Sequence, residues 1–205
     1  MIRFILTMAL VSGLPAVAAA ASLSKTYSYF SIGGYTLEEI EEELNTRGPQ
    51  VNSTGRRHPG ATQMEFTTRL GYSDDGGNGC TVTKAQVTVS AKVILPRWRH
   101  RSRADGDTRM VWDTLSSDIK RHEESHVVIA RNHARELEDS LKKIGRQKDC
   151  STAADRAKSI TADVLARHDA AQDKFDRIEG INFESRLLRL LQYRMEQAQD
   201  REKRG

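Results

Sequence analysis

Two histidines and a glutamate lie within five consecutive residues, His122-Glu123-Glu124-Ser125-His126. If this stretch is helical, the two histidines lie about 40° apart on one face, one turn above the other. Two imidazoles at this spacing can bind one zinc ion, and Glu123 can accept a proton from a zinc-bound water. The pattern therefore predicts a zinc site with His122 and His126 as ligands and Glu123 as general base. The alternative is a charged, solvated helix face that matches the pattern by chance.

A catalytic zinc takes three protein ligands and one water, so a third ligand must come from elsewhere. His133 lies about 10 Å along the helix axis from His126 and cannot reach the same ion. If a second helix folds back across a turn near residues 147–148, the position level with His126 is close to 169. His168 is therefore the first choice as third ligand. Three acids of the second helix remain alternatives, Asp169 and Asp173 at a similar height and Asp176 further along.

The hydrophobic pattern indicates which elements position these residues. Apolar residues at a spacing of three and four predict a long amphipathic helix over 108–144, a second over 152–178 and, after a break at Gly180, a third over 183–203. A capping box at Thr36 and Glu39 begins a short helix over 37–45. Strands are predicted at 25–32, 63–72 and 81–95, and the last two favour an antiparallel hairpin.

The first 21 residues and the cysteines both indicate export. Residues 1–21 combine an early arginine, an apolar run and a series of alanines, which predicts a cleaved signal peptide rather than a membrane anchor. Cys80 and Cys150 are the only cysteines, and in an exported chain a pair favours a disulfide over two unrelated thiols. We expect a periplasmic or secreted protein with one domain over 22–205 and a frayed tail at about 198–205.

The charge distribution disfavours two kinds of partner. The 32 lysines and arginines are nearly balanced by 28 acids, for a net charge of +4, and the signs are mixed along the predicted helices. We therefore expect no nucleic-acid partner. We also expect no membrane association after signal cleavage, because no later segment is long and apolar enough to span a bilayer.

A series of motifs in fixed order resembles a bacterial family of predicted secreted zinc-dependent proteases that is largely uncharacterised. The series consists of Tyr27-Ser28-Tyr29, Gly34-Tyr35-Thr36-Leu37, Leu44, Gly48-Pro49, Ala61-Thr62, Cys80, Leu95-Pro96-Arg97-Trp98, Trp112, His122-Glu123 with His126, and Cys150. The resemblance covers the whole mature chain. It implies a zinc metallopeptidase with His122 and His126 as ligands and Glu123 as the catalytic acid and base.

One departure from this family concerns the third ligand. The family tends to have a Tyr-Asp pair followed by a Thr-x-His-Gly element. Here the pair is Phe175-Asp176, and Ile181 occupies the position of the histidine. If that histidine is the family's third ligand, Glu179 or His168 must replace it in this chain, or the activity is lost.

The predicted fold is α+β, with a small antiparallel sheet packed on a long helical hairpin, in a zincin-like arrangement. The predicted function is zinc-dependent hydrolysis of a peptide or protein substrate, held by backbone pairing at an edge of the 81–95 strand. Three side chains are candidates for the oxyanion donor, Tyr72, Tyr193 and His133. The rival hypotheses are a non-catalytic exported binding or scaffold domain and a zinc amidase that acts on cell-wall peptides.

Overall fold

The computed structural model describes residues 21–51 and 55–204, so the predicted signal peptide lies outside the described residues except for Ala21. Six main elements follow in order, β1 (Ser22–Ile32), α1 (Leu37–Arg47), β2 (Ala61–Asp74), β3 (Cys80–Trp98), α2 (Gly106–Lys142) and α3 (Cys150–Glu202). The predicted class, α+β, is confirmed. Within these residues no helix has the length and apolar composition needed to cross a membrane.

The three strands form one mixed sheet in the order β1-β3-β2. The predicted hairpin is confirmed, because β2 pairs antiparallel with β3. The expectation of a purely antiparallel sheet is wrong, because β1 pairs with β3 in parallel. The connection from β1 to β2 contains α1, and β2 pairs with the side of β3 opposite to β1. As a result β3 is the central strand, and β1 and β2 are the edges.

One face of β3 supplies the core beneath the helices. Every second side chain along most of the strand is buried, including Val87, Val89 and Val93, each 0% exposed. They pack against the inner stripe of α2, where Ala130 and Leu137 are also 0% exposed. Burying one such valine or leucine contributes about 1.5–3 kcal/mol. This packing fixes α2 across the sheet, and with it the orientation of the His122–His126 face.

The capping box at the start of α1 forms as predicted. The Thr36 hydroxyl accepts a hydrogen bond from the Glu39 amide, and the Glu39 carboxylate accepts one from the Thr36 amide. Ile40 and Leu44 then pack α1 against Trp98 and Trp112. This second cluster fixes the beginning of α2.

Helix α3 is continuous through Gly180, so the predicted division into two helices is wrong. A helical glycine costs about 1 kcal/mol relative to alanine, which tertiary packing readily offsets. That packing lies just beyond the glycine, where Arg186 bonds with Asp118 of α2. The continuous helix places residues 168–180 along one wall beside α2.

The predicted disulfide is confirmed between Cys80 and Cys150, whose Cα atoms are 4.9 Å apart. It joins the first residue of β3 to the first residue of α3. A bridge across 70 residues stabilises a fold by about 4 kcal/mol in the chain-entropy account. It therefore anchors α3 to the sheet at the end opposite the two histidines.

Candidate metal centre

Helix α2 brings His122 and His126 together as the sequence predicts. Their rings meet edge to face with centroids 4.8 Å apart, and their Nε2 atoms are separated by 3.1 Å. Both rings also pack against Phe175 of α3, at centroid distances of 5.0 and 5.2 Å. The two Nε2 atoms therefore point to one small space between α2 and α3.

Asp176 supplies a third ligand atom from α3. Its Oδ1 lies 3.3 Å from the Nε2 of His122 and 3.1 Å from the Nε2 of His126. The three atoms thus form a nearly equilateral triangle. A tetrahedral zinc with bonds of about 2.0–2.2 Å requires its ligand atoms to be about 3.3 Å apart. The donor set and its spacing fit zinc, and Asp176 is the only carboxylate grouped with these histidines in the described ranges.

Neighbouring side chains orient the imidazoles. The Oε1 of Gln172 can only accept, so the His126 Nδ1 at 2.7 Å donates to it. The proton of a neutral His126 is then on Nδ1, and Nε2 keeps its lone pair for a metal. The Oε2 of Glu179 lies 3.6 Å from the Nδ1 of His122. This distance is too long for a hydrogen bond. The carboxylate nevertheless lies beside Nδ1, the ring nitrogen that an orienting partner would contact if Nε2 bound the metal.

Glu179 belongs to an ionic cluster that joins the two helices. It pairs with Arg121 of α2 and with Arg186 of α3, and both arginines also bond with Asp118. The side chain of Asp118 is only 2% exposed. Burial opposes its ionisation, but hydrogen bonds from Arg186 and Arg121 lower the pKa of Asp118 below its usual value. The cluster holds the metal-site portions of α2 and α3 in register.

Glu123 faces the sheet rather than the solvent. It is 5% exposed, and its Oε2 accepts a hydrogen bond from the Thr62 hydroxyl at 2.8 Å. Burial raises the pKa of Glu123, against the opposing effects of Thr62 and the two histidines. A carboxylate with a raised pKa is a better proton acceptor near neutral pH.

Gly60 leaves the space that this glutamate occupies. A Cβ at position 60 would lie 2.9 Å from the Oε1 of Glu123 and 2.9 Å from the Cγ2 of Ile119. Such contacts are too short for a real side chain, so the close approach of the backbone requires glycine. The segment before β2 is therefore shaped around Glu123.

The charge states of the cluster favour an ionised acid. Partial burial opposes ionisation of Asp176, but hydrogen bonds from His122 and His126 hold its pKa well below the usual range. Burial also opposes protonation of His126, while Asp176, Gln172 and Glu123 raise its pKa. The anion and the two imidazoles therefore stabilise one another, and a divalent cation bound between them would replace these contacts.

His168, the first choice of the sequence argument, lies outside this group. Its Nε2 accepts from the Gln172 amide at 2.9 Å, and its Nδ1 faces Asp169 at 2.9 Å. The ring also packs edge to face against Phe66. Both ring nitrogens therefore have partners, and Gln172 separates His168 from His126. The turn-based estimate placed the level of His126 near position 169, about two turns of α3 before Asp176, whose carboxylate reaches both histidines.

The site opens into a cavity of about 700 Å³ between β2, α2 and α3. Besides Glu123 and Asp176, four acids line it: Asp118, Asp169, Asp173 and Glu179. The three oxyanion candidates, Tyr72, Tyr193 and His133, are not among its lining residues, whereas His58 is. Sequence reasoning also missed Thr62, Gln172 and Gly60. Thr62 could have been found from sequence, because it belongs to the family-like motif Ala61-Thr62. Gln172 lies one turn before Asp176, belongs to no motif and could not have been found in this way.

A comparison with known protein families shows the family to which the chain belongs. Residues 27–184 match the family described as bacterial protein of unknown function (DUF922), and the chain belongs to that family. The match extends from β1 through the metal centre to the turn of α3 beyond Glu179. No curated protein and no solved structure is significantly similar to the chain.

Proposed function

We propose that the chain is a zinc-dependent hydrolase that cleaves peptide bonds. His122, His126 and Asp176 would hold the zinc, and Glu123 would act as general base. The observation that carries this proposal is the triangle of ligand atoms, with edges of 3.1, 3.1 and 3.3 Å, directly beside a buried glutamate. A chance match on a solvated helix would not bring an acid from another helix to both imidazoles.

Each residue has a separate task. Zinc, when bound, would polarise the scissile carbonyl and lower the pKa of the attacking water. Glu123 takes the proton of that water and returns it to the leaving amine. The Thr62 hydroxyl fixes the orientation of the Glu123 carboxylate, and Gln172 fixes the His126 ring.

In this proposal Asp176 replaces the family histidine whose position Ile181 occupies. Ile181 is 77% exposed and lies more than one turn of α3 beyond Asp176. A carboxylate is an ordinary catalytic zinc ligand in combination with two histidines. The departure in sequence is therefore compatible with an intact metal centre.

Export supports this function without defining the substrate. The disulfide between Cys80 and Cys150 favours an oxidising compartment, and with the predicted signal peptide we propose a periplasmic or secreted enzyme. The earlier expectation that the β3 edge holds the substrate is wrong, because β3 is paired on both sides. Among the described strands, the edges of β1 and β2 remain for backbone pairing, and β2 is the one whose first residues line the cavity.

The central test compares two adjacent glutamates. Glu123→Gln should retain zinc and lose hydrolysis, because glutamine keeps the shape but cannot carry the proton. Glu124→Gln is the matched control, since Glu124 pairs with Tyr27 and Lys25 on the other side of the helix. The assay is cleavage of reduced, carboxymethylated lysozyme and of purified cell-wall peptides, with and without a chelator.

The outcomes separate the three hypotheses. Chelator-sensitive cleavage of the unfolded protein that only Glu123→Gln abolishes supports the peptidase, and cleavage restricted to cell-wall peptides supports an amidase. The non-catalytic binding domain is favoured by one observation, the exposed Ile181 in place of the family histidine. Wild-type protein that binds zinc but cleaves neither substrate would establish that alternative.

A further inference from the structure

A second groove lies along two of the elements that border the metal-site cavity, β2 and α3. It has a volume of about 530 Å³ and lies between the later part of β2 and the beginning of α3. Its lining includes Leu70 and Tyr72 from the strand and Ala157, Thr161 and Leu165 from the helix. Tyr72, an expected oxyanion donor, therefore belongs to this groove rather than to the metal centre.

The groove exists because α3 carries small side chains where it passes β2. Three of its lining residues from the helix are alanines, Ala154, Ala157 and Ala162. Leu70 of the strand remains partly exposed as a result. The apolar floor is therefore left open to a ligand with apolar side chains of its own.

The groove and the metal-site cavity lie on either side of one contact. The rings of Phe66 and His168 meet there, at a centroid distance of 5.0 Å. At about 3.4 Å per residue, Thr62 lies about 14 Å from Phe66 in one direction and Leu70 about 14 Å in the other. An extended chain of about eight residues can therefore span both.

The backbone of β2 supplies a second reason for an extended ligand. In the described chain β2 pairs with β3 alone, so its outer edge carries unpaired N–H and C=O groups over much of 14 residues. Exposed edges are usually protected by charged side chains, proline, a bulge or a covering element. β2 contains neither proline nor lysine, and its irregular register is confined to Gly71 and Tyr72 near its end, although Glu65 and Arg69 are charged. An edge with unpaired backbone groups beside an apolar groove is suited to strand addition.

We propose that this groove binds an extended segment of the polypeptide substrate, which adds as a strand to the free edge of β2. Alternate side chains of the added strand would enter the groove beneath Leu70, because side chains alternate between the two faces of a sheet. This inference rests on the proposed function. It adds that substrates extend about eight residues beyond the scissile bond and carry apolar residues at every second position there.

Binding can be measured without cleavage by using zinc-loaded Glu123→Gln protein. The probe is a fluorescein-labelled 14-residue peptide of alternating Val and Thr with lysines at both ends, followed by fluorescence anisotropy. Two further probes carry N-methyl groups on either the odd or the even residues. Strand addition predicts that one methylated set loses affinity at least tenfold and the other changes little, since only alternate N–H groups face the edge.

Variants of α3 locate the binding site. Ala162→Trp should fill the groove and weaken binding of the unmodified probe at least tenfold. Ala170→Trp is the control, because Ala170 is exposed on the same helix and lines neither cavity. Both variants should retain wild-type zinc affinity, and in the presence of active-site Glu123 the control Ala170→Trp should cleave a six-residue peptide as the wild type does.

Three binding results would overturn the inference. These are an unmodified probe that does not bind, equal losses from both methylated sets, and equal effects of the two tryptophans. Dimerisation in analytical ultracentrifugation that Ala162→Trp abolishes would make a second copy the occupant and would also overturn it. Wild-type protein that binds the probe with the expected pattern but cleaves no peptide would support the groove and reject the proposed hydrolase.

Discussion

Replacement of Asp176 by asparagine tests the composition of the metal centre most directly. The carboxylate is one corner of the ligand triangle, and its Oδ1 lies 3.1–3.3 Å from both histidine Nε2 atoms. Loss of a residue that only orients a ligand costs about 10–100-fold in metal affinity. Loss of one of three ligands and its negative charge should cost more, about 1000-fold or 4 kcal/mol.

Two further variants serve as controls for the loss of zinc affinity expected in Asp176→Asn. His168→Ala should change zinc affinity tenfold or less, because His168 reaches His126 only through Gln172. It should instead lower the free energy of unfolding by about 1–3 kcal/mol, as expected for a lost buried side chain with its hydrogen bonds. Asp173→Asn removes an acid that lines the same cavity but belongs to no ligand group, so its zinc affinity should equal that of the wild type.

The assay is competition with a chromophoric chelator at neutral pH, on protein stripped of metal and shown by circular dichroism to be folded. Melting temperatures with and without zinc give a second, independent value. The reasoning is refuted if Asp176→Asn and Asp173→Asn bind zinc equally well. It is also refuted if His168→Ala loses zinc while Asp176→Asn retains it, because the turn-based choice from sequence would then be right.

Two other predictions follow from the packing around the centre. Gly60→Ala should displace the Glu123 carboxylate, since a Cβ would lie 2.9 Å from its Oε1. Hydrolytic activity should fall at least tenfold while zinc affinity stays unchanged, and a variant with wild-type activity would contradict this. The pKa of Asp118 is lowered by its arginine partners in the folded state, so its stabilising effect is present above the unfolded pKa of about 4 and is lost as pH falls below it. Urea unfolding at pH 7 and pH 3 should therefore show a smaller pH dependence for Asp118→Asn than for wild type, and equal dependence would contradict the ionic role.

The local features of the chain could be predicted from sequence because their causes are local. The capping box needs only Thr36 and Glu39 three residues apart, and the long amphipathic helix follows from its repeated apolar spacing. The strand pair β2 and β3 is joined by a short glycine-rich turn, so its antiparallel pairing also follows from neighbouring residues. These are the elements that the structure confirms.

The errors concern relations between distant residues. Parallel pairing of β1 with β3 depends on where α1 carries the chain, which no local pattern records. Gly180 does not end the helix because Arg186 and Asp118 hold the next turn against α2, and that partner lies 68 residues away. Propensity gives the cost of one glycine, about 1 kcal/mol, but not the tertiary contacts that offset it.

His168, which the sequence argument chose as third ligand, and Asp176, whose carboxylate reaches both histidines, are about two turns apart on α3. A hairpin argument gives the height at which two helices face each other, to within the uncertainty of the turn, but it treats every inward residue at that height alike. His168, Gln172 and Asp176 follow one another at intervals of about one turn. Gln172 bonds with both His168 and His126, and Asp176 lies against His126 and His122. The outermost, Asp176, is the one whose short side chain ends between the histidines, while Gln172 fills the space in front of His168. An uninterrupted helix is therefore a requirement of the proposed centre. Arg186, beyond Gly180, pairs with Glu179 and with Asp118 of α2, and a break at Gly180 would release these contacts.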